Sequence, residues 1–518
     1  MQHGAHALDA RAGRAGVPRI ASLLALMLAV ACIAVGAAVA ITGSRGPVAA
    51  RTRQPASPAS VVSGSVAAVS SGLTRLLLSS APSAVVADAA SAADVSAASA
   101  VARRVHAPML LMSGRGATAA QQGPIRSAVK AINPRALLAV GIPASGLAAA
   151  LPGINVVTSA SALPSAPAAA PLRRVTVLVH ESRSGAGAAL ATAAATTAQA
   201  AGARVIYLSG FDPRLDAAAI RELTATRPSR VIGVGGQFGS AGLLASRVAV
   251  AETGVQLPGG GQVLFPMRRI VALYGSPGIR VLGALGQQGL AASIARAKAV
   301  AAQYSPLSKV PVVPAFEIIA TIALGSPGPS GTYSYQTSIA ALRPWIEAAT
   351  KAGMYVTLDL QPGRANFLSQ AEQYQSLLKL PNVGLALDPE WKLGPHQLPL
   401  RQIGSVSIGE VNSVVSWLAQ LTARYRLPQK LLELHEFRLT MIQDIQQLDT
   451  RHSDLALVIN MDGQGAPSSK QLTWDAVVAH APKGVFFGWK DFYLKDRPML
   501  GPRATLNHQP EPVLISYQ

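Results

Sequence analysis

The sequence predicts an α/β protein in several parts: an N-terminal membrane helix, small parallel three-layer α/β repeat units, and then a (β/α)8-type barrel. Three observations predict it. A chain of 518 residues exceeds one ordinary domain. One long apolar run lies near its start. Behind that run, short apolar stretches without polar alternation take turns with helical patterns, as sheets covered on both faces require.

The apolar run spans 20–41, 22 residues interrupted only by Ser22, and follows Arg11, Arg14 and Arg19. At about 1.5 Å per residue it is long enough to cross a hydrocarbon core of about 30 Å. The preceding arginines place the N-terminus in the cytoplasm and the body outside it. The expected location is therefore the cell membrane, single-pass, with the body in the envelope. A cleaved signal ending at Ala38-Val39-Ala40 is the second reading, and lipid attachment at Cys32 is the third. Cys32 is the single cysteine, which rules out an intramolecular disulfide.

The net charge of +20 is uneven. Residues 43–268 hold 20 Lys/Arg against 7 Asp/Glu, while 269–518 hold 22 against 17. A basic surface of this kind attracts polyanions such as nucleic acid, anionic lipid or acidic wall polymer, or merely keeps the protein soluble. The N-terminal helix makes the membrane one expected partner.

Residues 1–42 form the cytoplasmic tail and anchor or signal, and 43–64, rich in Ser, Pro and Arg, read as a flexible linker. Two similar units follow, at 65–165 and 166–254. The first runs Ala84-Val-Val-Ala-Asp88, an Ala-rich helix, His106-Ala-Pro-Met-Leu-Leu-Met112, a second helix, and Ala136-Leu-Leu-Ala-Val-Gly141. The second runs Val175-Thr-Val-Leu-Val179, an Ala-rich helix, Gly202-Ala-Arg-Val-Ile-Tyr-Leu208, a helix, and Arg230-Val-Ile-Gly-Val-Gly-Gly236. Each is strand–helix–strand–helix–strand, hence a small parallel sheet between helices. Val234-Gly-Gly-Gln-Phe-Gly239 reads as close strand–helix packing, since it is misplaced for a dinucleotide turn.

These units resemble the type 2 cell-wall-binding repeats of bacterial surface proteins. Ala92-Ala-Asp-Val-Ser-Ala-Ala98, Ala107-Pro-Met-Leu-Leu111 and Val231-Ile-Gly-Val-Gly-Gly236 carry the resemblance. The chain shows two copies where that family has three, and its second copy lacks the Asp-Ala signature. The resemblance implies non-covalent attachment to an anionic cell-wall polymer or peptidoglycan rather than to nucleic acid, which agrees with the excess arginine.

After a Gly-rich linker at 255–268, the last 250 residues match a (β/α)8 barrel in size. Strands are expected at 270–274, 310–317, 355–361, 383–388, 431–435, 455–462 and 485–490, with 512–517 as a candidate eighth. Helices are expected at 289–303, 338–351, 369–378, 409–425, 439–449 and 473–479. The strand ends are polar: Glu317, Asp359, Asp388 with Glu390, His435 with Glu436, Asn460 with Asp462, and Trp489 with Lys490. Alternate residues of a strand share a face. Polar strand ends converge on the mouth of such a barrel, where ligands bind.

The centre of this pattern is Val383-Gly-Leu-Ala-Leu-Asp-Pro-Glu-Trp391, a buried strand running into two carboxylates. Asp388, Glu390, Asp359, Glu317, His435 and Asp462 are the candidate catalytic groups. Trp391, Trp489, Lys490, Asn460, Tyr274 and Glu436 are candidate substrate contacts. Paired carboxylates suit glycoside hydrolysis, and flat aromatic faces suit sugar rings. In outline this half resembles the glycosidase-type barrels, with Leu385-Ala-Leu-Asp-Pro-Glu390 similar to their fourth-strand motif; Lys490 and Asp491 stand where most of them carry a seventh-strand glutamate.

Three readings follow: a wall-bound protein whose barrel binds or hydrolyses a glycan, a non-enzymatic wall-binding scaffold, and a metal-dependent hydrolase. The last would draw on His435, Asp359, Asp388 and Asp462. No zinc-type spacing supports it, so no cofactor or metal ligand is assigned from sequence.

Overall fold

The computed structural model describes residues 47–113 and 119–518. The expected membrane helix lies outside the described residues; among these, no helix is long and apolar enough to cross a membrane.

The N-terminal half contains two four-stranded parallel sheets. The first is ordered Met109–Met112, Ser83–Asp88, Ala136–Val140, Asn155–Val157, and the second Arg204–Leu208, Val175–His180, Arg230–Val234, Ala59–Val62. The strand–helix–strand–helix–strand pattern recurs in both. The fourth strands differ in origin. Asn155–Val157 follows its own unit, but Ala59–Val62 precedes both units and pairs with Val231–Val234 of the second. The 43–64 segment is therefore more than a flexible linker. Its Ser/Pro/Arg composition conceals the run Ala59-Ser-Val-Val62, whose β-branched pair fits a sheet edge once a partner strand is present.

The chain thus leaves the second sheet, builds the first, and returns. The helix Val66–Leu77 lies at that crossing, against the helices Ala119–Ile132 and Gly185–Ala200. A buried hydrogen bond of 2.8 Å between Ser99 and Thr196 ties one unit to the other.

Eight parallel strands close the C-terminal barrel: Arg269–Gly275, Val312–Ala323, Tyr355–Leu360, Val383–Leu387, Lys430–His435, Leu455–Met461, Phe486–Asp491 and Leu514–Tyr517. The first pairs with both the second and the eighth, so no edge remains. The eighth strand is the candidate at 512–517. It is short, and Pro510 and Pro512 directly before it mask its strand signal.

The expected helix at 439–449 does not form. Its place is taken by a two-residue bridge, Ile442–Gln443, and a 3-10 turn, Ile445–Gln447. Asp444 between them is left-handed, with φ 58°, which breaks helical propagation. Met441, Ile442 and Ile445 are buried there, so the apolar spacing was real but serves a packed loop. The expected helix at 369–378 is two short ones, Phe367–Gln373 and Gln375–Leu378.

The barrel interior is layered. Toward the strand N-termini it is apolar: Ile270, Ala272, Val313, Ala315, Tyr355, Leu431, Ala456, Val458 and Leu514 form one cluster. Leu257, Leu264 and Phe265 join it from below, so the segment 255–268 plugs the barrel floor rather than only linking domains. Arg214 of the second unit donates to Asp212 at 2.9 Å and to the Ser453 carbonyl at 3.2 Å, joining that unit to the barrel.

Gly384 shows how tight the interior is. A Cβ there would stand 2.8 Å from the Leu431 Cβ, 2.9 Å from the Leu431 carbonyl oxygen and 3.0 Å from the Tyr355 hydroxyl. That hydroxyl accepts the Leu431 N–H at 3.1 Å and is fixed. Gly384→Ala is expected to destabilise the barrel by about 1–3 kcal/mol through overpacking, read as a lowered denaturation midpoint.

Candidate active site

Above the apolar floor, the inward positions change character. Inward residues in register across neighbouring strands are Tyr274, Glu317 and Thr357, then Asp359, Ala386 and Glu433, then His435 and Asn460, then Lys490 and Ser516. Tyr274, Glu317, Glu433, Asn460 and Ser516 each follow an apolar inward residue two positions earlier (Ala272, Ala315, Leu431, Val458 and Leu514), so one strand supplies both core and site. The alternate residues face outward into the helical layer, where Leu358, Leu385, Leu434 and Ile459 pack.

His435 is the hub. Its Nδ1 lies 3.1 Å from Asp462 Oδ2, a hydrogen bond. Its Nε2 lies 3.0 Å from Glu317 Oε1, off the line of a hydrogen bond, with Glu433 Oε1 at 3.7 Å and Asp359 Oδ1 at 3.8 Å. Tyr274 donates to Asp359 Oδ2 at 2.9 Å and receives the Gln361 amide at 3.2 Å. Asn460 donates to Glu433 Oε1 at 2.6 Å. The Lys490 ammonium sits 3.4 Å from the Tyr274 ring centroid and 3.9 Å from Asp462 Oδ2.

This is a buried, crowded set of charges. Burial first, then His435 and Glu317 with opposite signs, set the Asp359 carboxyl at about 6. Burial, then Glu390 and Asp359, push Asp388 well above the carboxylate range, and burial with Glu317 does the same to Glu433. Asp462 goes the other way: burial raises it, but the hydrogen bond and charge of His435, with Lys490, hold it below its ordinary value. Burial and Lys490 oppose charge on His435, yet Asp462 and Glu317 together hold the imidazole well above its usual value. Burial opposes charge on Lys490 too, and the surrounding carboxylates, Asp462 first, keep its pKa raised.

An open cavity of about 600 Å³ sits over this layer, with Tyr274, Gln361, Glu390, Trp391, Asp462 and Lys490 in its wall. Glu390 and Trp391 reach it on the 3-10 turn Pro389–Trp391, started by a proline whose fixed φ suits that position. Burial, then the nearby Asp462, raises Glu390 to about 7.

Most of the expected residues meet here. Tyr274, Glu390, Trp391, Asp462 and Lys490 line the cavity, Asp359, Asp388, His435 and Asn460 are buried at or near strand ends, and Glu317 is buried within its strand. Glu436 is also buried, raised to about 8 by burial and then Asp462, but does not line the cavity. Glu317 does not end its strand; the strand runs on to Ala323, leaving Glu317 deep inside. Trp489 is the exception to the convergence. It alternates with the inward Lys490, faces outward, is fully buried against Trp474 and His508, and donates to Asp491 at 2.7 Å. It has no face for a sugar.

Sequence reasoning missed Glu433. Its signal was present: a glutamate two residues before His435 in Lys430-Leu-Leu-Glu-Leu-His435 must share its face. Arg438, Gln464 and Lys495 also line the cavity, from loops whose approach no strand pattern reveals.

The N-terminal half has its own clefts. One of about 880 Å³ holds the exposed side chains of Arg103, Arg173 and Arg204 beside Tyr207, and another of about 460 Å³ holds Arg103 and Arg183.

The fold and site define the class: a parallel eight-stranded barrel with an ionisable mouth, preceded by two small α/β sheets. Comparisons with family models, curated proteins and solved structures return no match.

Proposed function

We propose that the chain is an envelope protein that holds an anionic wall polymer with its N-terminal half and hydrolyses a glycan in its barrel. The observation that carries the catalytic part is the placement of Glu390, Asp462 and Trp391 on one open cavity above a buried layer of charge. The arginine-lined clefts of the N-terminal half support the polymer-binding part.

In this reading a sugar ring rests on Trp391, and Glu390 is the general acid. Glu390 gives its proton to the glycosidic oxygen as the bond from the anomeric carbon to that oxygen breaks. A water adds to the anomeric carbon. Its proton passes to Asp462, which has Oδ2 committed to His435 and Oδ1 without a hydrogen-bond partner among the described residues. Lys490 and Gln361, both on the cavity wall, offer donors to sugar hydroxyls.

The test is release of reducing ends from purified wall glycans by the full chain; no release from any wall glycan overturns the catalytic part. The pH dependence adds a signed prediction. An acid raised to about 7 is protonated below that value. Turnover is therefore expected to hold on the acid side and to fall about tenfold per pH unit above about 7. A profile flat from pH 6 to 9 contradicts Glu390 as the acid.

A further inference from the structure

Beneath the cavity, the side chains of Glu317, Glu433 and His435 each offer one ligand atom, and these atoms lie within 4.8 Å of one another. We propose that they form a site for one first-row divalent cation, of the Mn²⁺ or Zn²⁺ kind, independent of the glycan reading.

The argument begins with hydrogen bonds that the protein does not complete. All three residues are fully buried, and Glu317 Oε1 and Oε2, Glu433 Oε2 and His435 Nε2 have no hydrogen-bond partner among the described residues. Asp359 Oδ1, from the adjoining strand, is also buried and unpartnered and lies 3.8 Å from His435 Nε2. A buried polar atom without a partner is costly, and a buried carboxylate more so. One ligand atom each from Glu317, Glu433 and His435 meets at one place, and Asp359 stands beside it.

A proton on Nε2 would satisfy one of these oxygens. It would leave the other Glu317 oxygen, Glu433 Oε2 and Asp359 Oδ1 as they are. Lys490 eases the charge of these carboxylates from a distance but completes none of their hydrogen bonds. Among the described residues its ammonium comes within 4.0 Å of Asp462 but of none of Glu317, Glu433 or Asp359. A divalent cation at the focus would take one such atom each from Glu317, Glu433 and His435, with Asp359 beside it.

The surroundings match a metal site in a second respect. Ligating imidazoles are oriented by a carboxylate on the other ring nitrogen, and ligating carboxylates are hydrogen-bonded in turn. His435 Nδ1 is held by Asp462 at 3.1 Å, leaving Nε2 aimed at the carboxylates. Glu433 Oε1 is held by Asn460 at 2.6 Å. Two carboxylates with one imidazole form an oxygen-rich donor set of intermediate softness, which suits Mn²⁺ or Zn²⁺. Tyr274, Asp462 and Lys490 belong both to the cavity wall and to the contacts of this cluster, so the route in is from the mouth.

The experiment uses the full chain without any glycan, so it stands or falls apart from the hydrolase reading. The protein is stripped with a chelator, dialysed, and titrated with Mn²⁺, Zn²⁺ or, as control, Mg²⁺. Bound metal is counted by mass spectrometry and the thermal midpoint is followed. One equivalent of Mn²⁺ or Zn²⁺ per chain is expected, with a rise in midpoint that the chelator reverses. Glu433→Gln and Glu317→Gln are each expected to weaken binding at least 100-fold. Their metal-free midpoints should match or exceed the parent's, because each removes a buried carboxylate. Absence of stoichiometric metal in the parent overturns the proposal. So does binding that survives both substitutions, since the metal would then sit elsewhere.

Discussion

Replacing Glu390 with Gln is expected to lower turnover on wall glycan by about 100- to 10,000-fold, the span that general acid catalysis contributes. Fold should survive the change. Glu390 stands on a 3-10 turn at the cavity wall, and its carboxyl already favours the neutral form up to about pH 7. A neutral amide of the same size relieves charge in that setting, so the thermal midpoint should hold or rise at pH 8. The pattern of loss is more diagnostic than its size. A leaving group that departs as a stable anion needs no proton, so an aryl glycoside with an acidic phenol should retain most of its rate in Glu390→Gln. Equal loss on both substrate types would mean that Glu390 positions the sugar and donates nothing. Unchanged turnover would remove it from the mechanism.

The sequence revealed the barrel because each strand obeys a short rule. Asp388-Pro-Glu390 follows Val383-Gly-Leu-Ala-Leu387, and the apolar run needs burial on both faces while the acids need the open end. The same rule located Asp359, His435, Asn460 and Asp462. It failed where one residue offset decides the face. Trp489 and Lys490 are adjacent, so they face opposite ways, and the fully buried tryptophan belongs to the helical layer. Reading both as site residues ignored the alternation.

Other features were invisible for a different reason. Ala59–Val62 is a strand because Val231–Val234 offers it an edge, a pairing across about 170 residues that local composition does not announce. The plug of Leu257, Leu264 and Phe265 looks like linker because Gly259, Gly260 and Gly261 lie inside it. All three have positive φ, so the glycines serve a tight turn within a packed segment. At 439–449 the apolar spacing was correct and the backbone was not, because Asp444 turns left-handed between two buried isoleucines.

The largest effect on stability is expected at Lys470, a residue that sequence reasoning passed over on the face of the helix Pro467–His480. Its ammonium is buried, 2.5 Å from Asp496 Oδ2 and 2.6 Å from the Lys490 carbonyl oxygen, with Asp491 Oδ1 at 3.9 Å. Asp496 also accepts the backbone N–H groups of Gly465 and Phe492, so it locks two loops around the ammonium. Burial raises Asp491 to about 6, and the Lys470 charge limits the rise. Lys470→Met keeps the length of the side chain and removes the charge, leaving buried carboxylates without their cation. Breaking a buried pair from one side costs about 3–5 kcal/mol, and chemical denaturation should show a loss of that order. Removing the partner as well should restore part of it: Lys470→Met with Asp496→Asn is expected to be more stable than Lys470→Met alone. A double variant no better than the single would place the role of Lys470 in packing against Trp489, 4.6 Å from the ring centroid, rather than in charge. Because the ammonium also holds the carbonyl of Lys490, its loss should loosen the strand end that carries Lys490 into the cavity. Stability and turnover should therefore fall together in Lys470→Met, whereas in Glu390→Gln turnover falls alone.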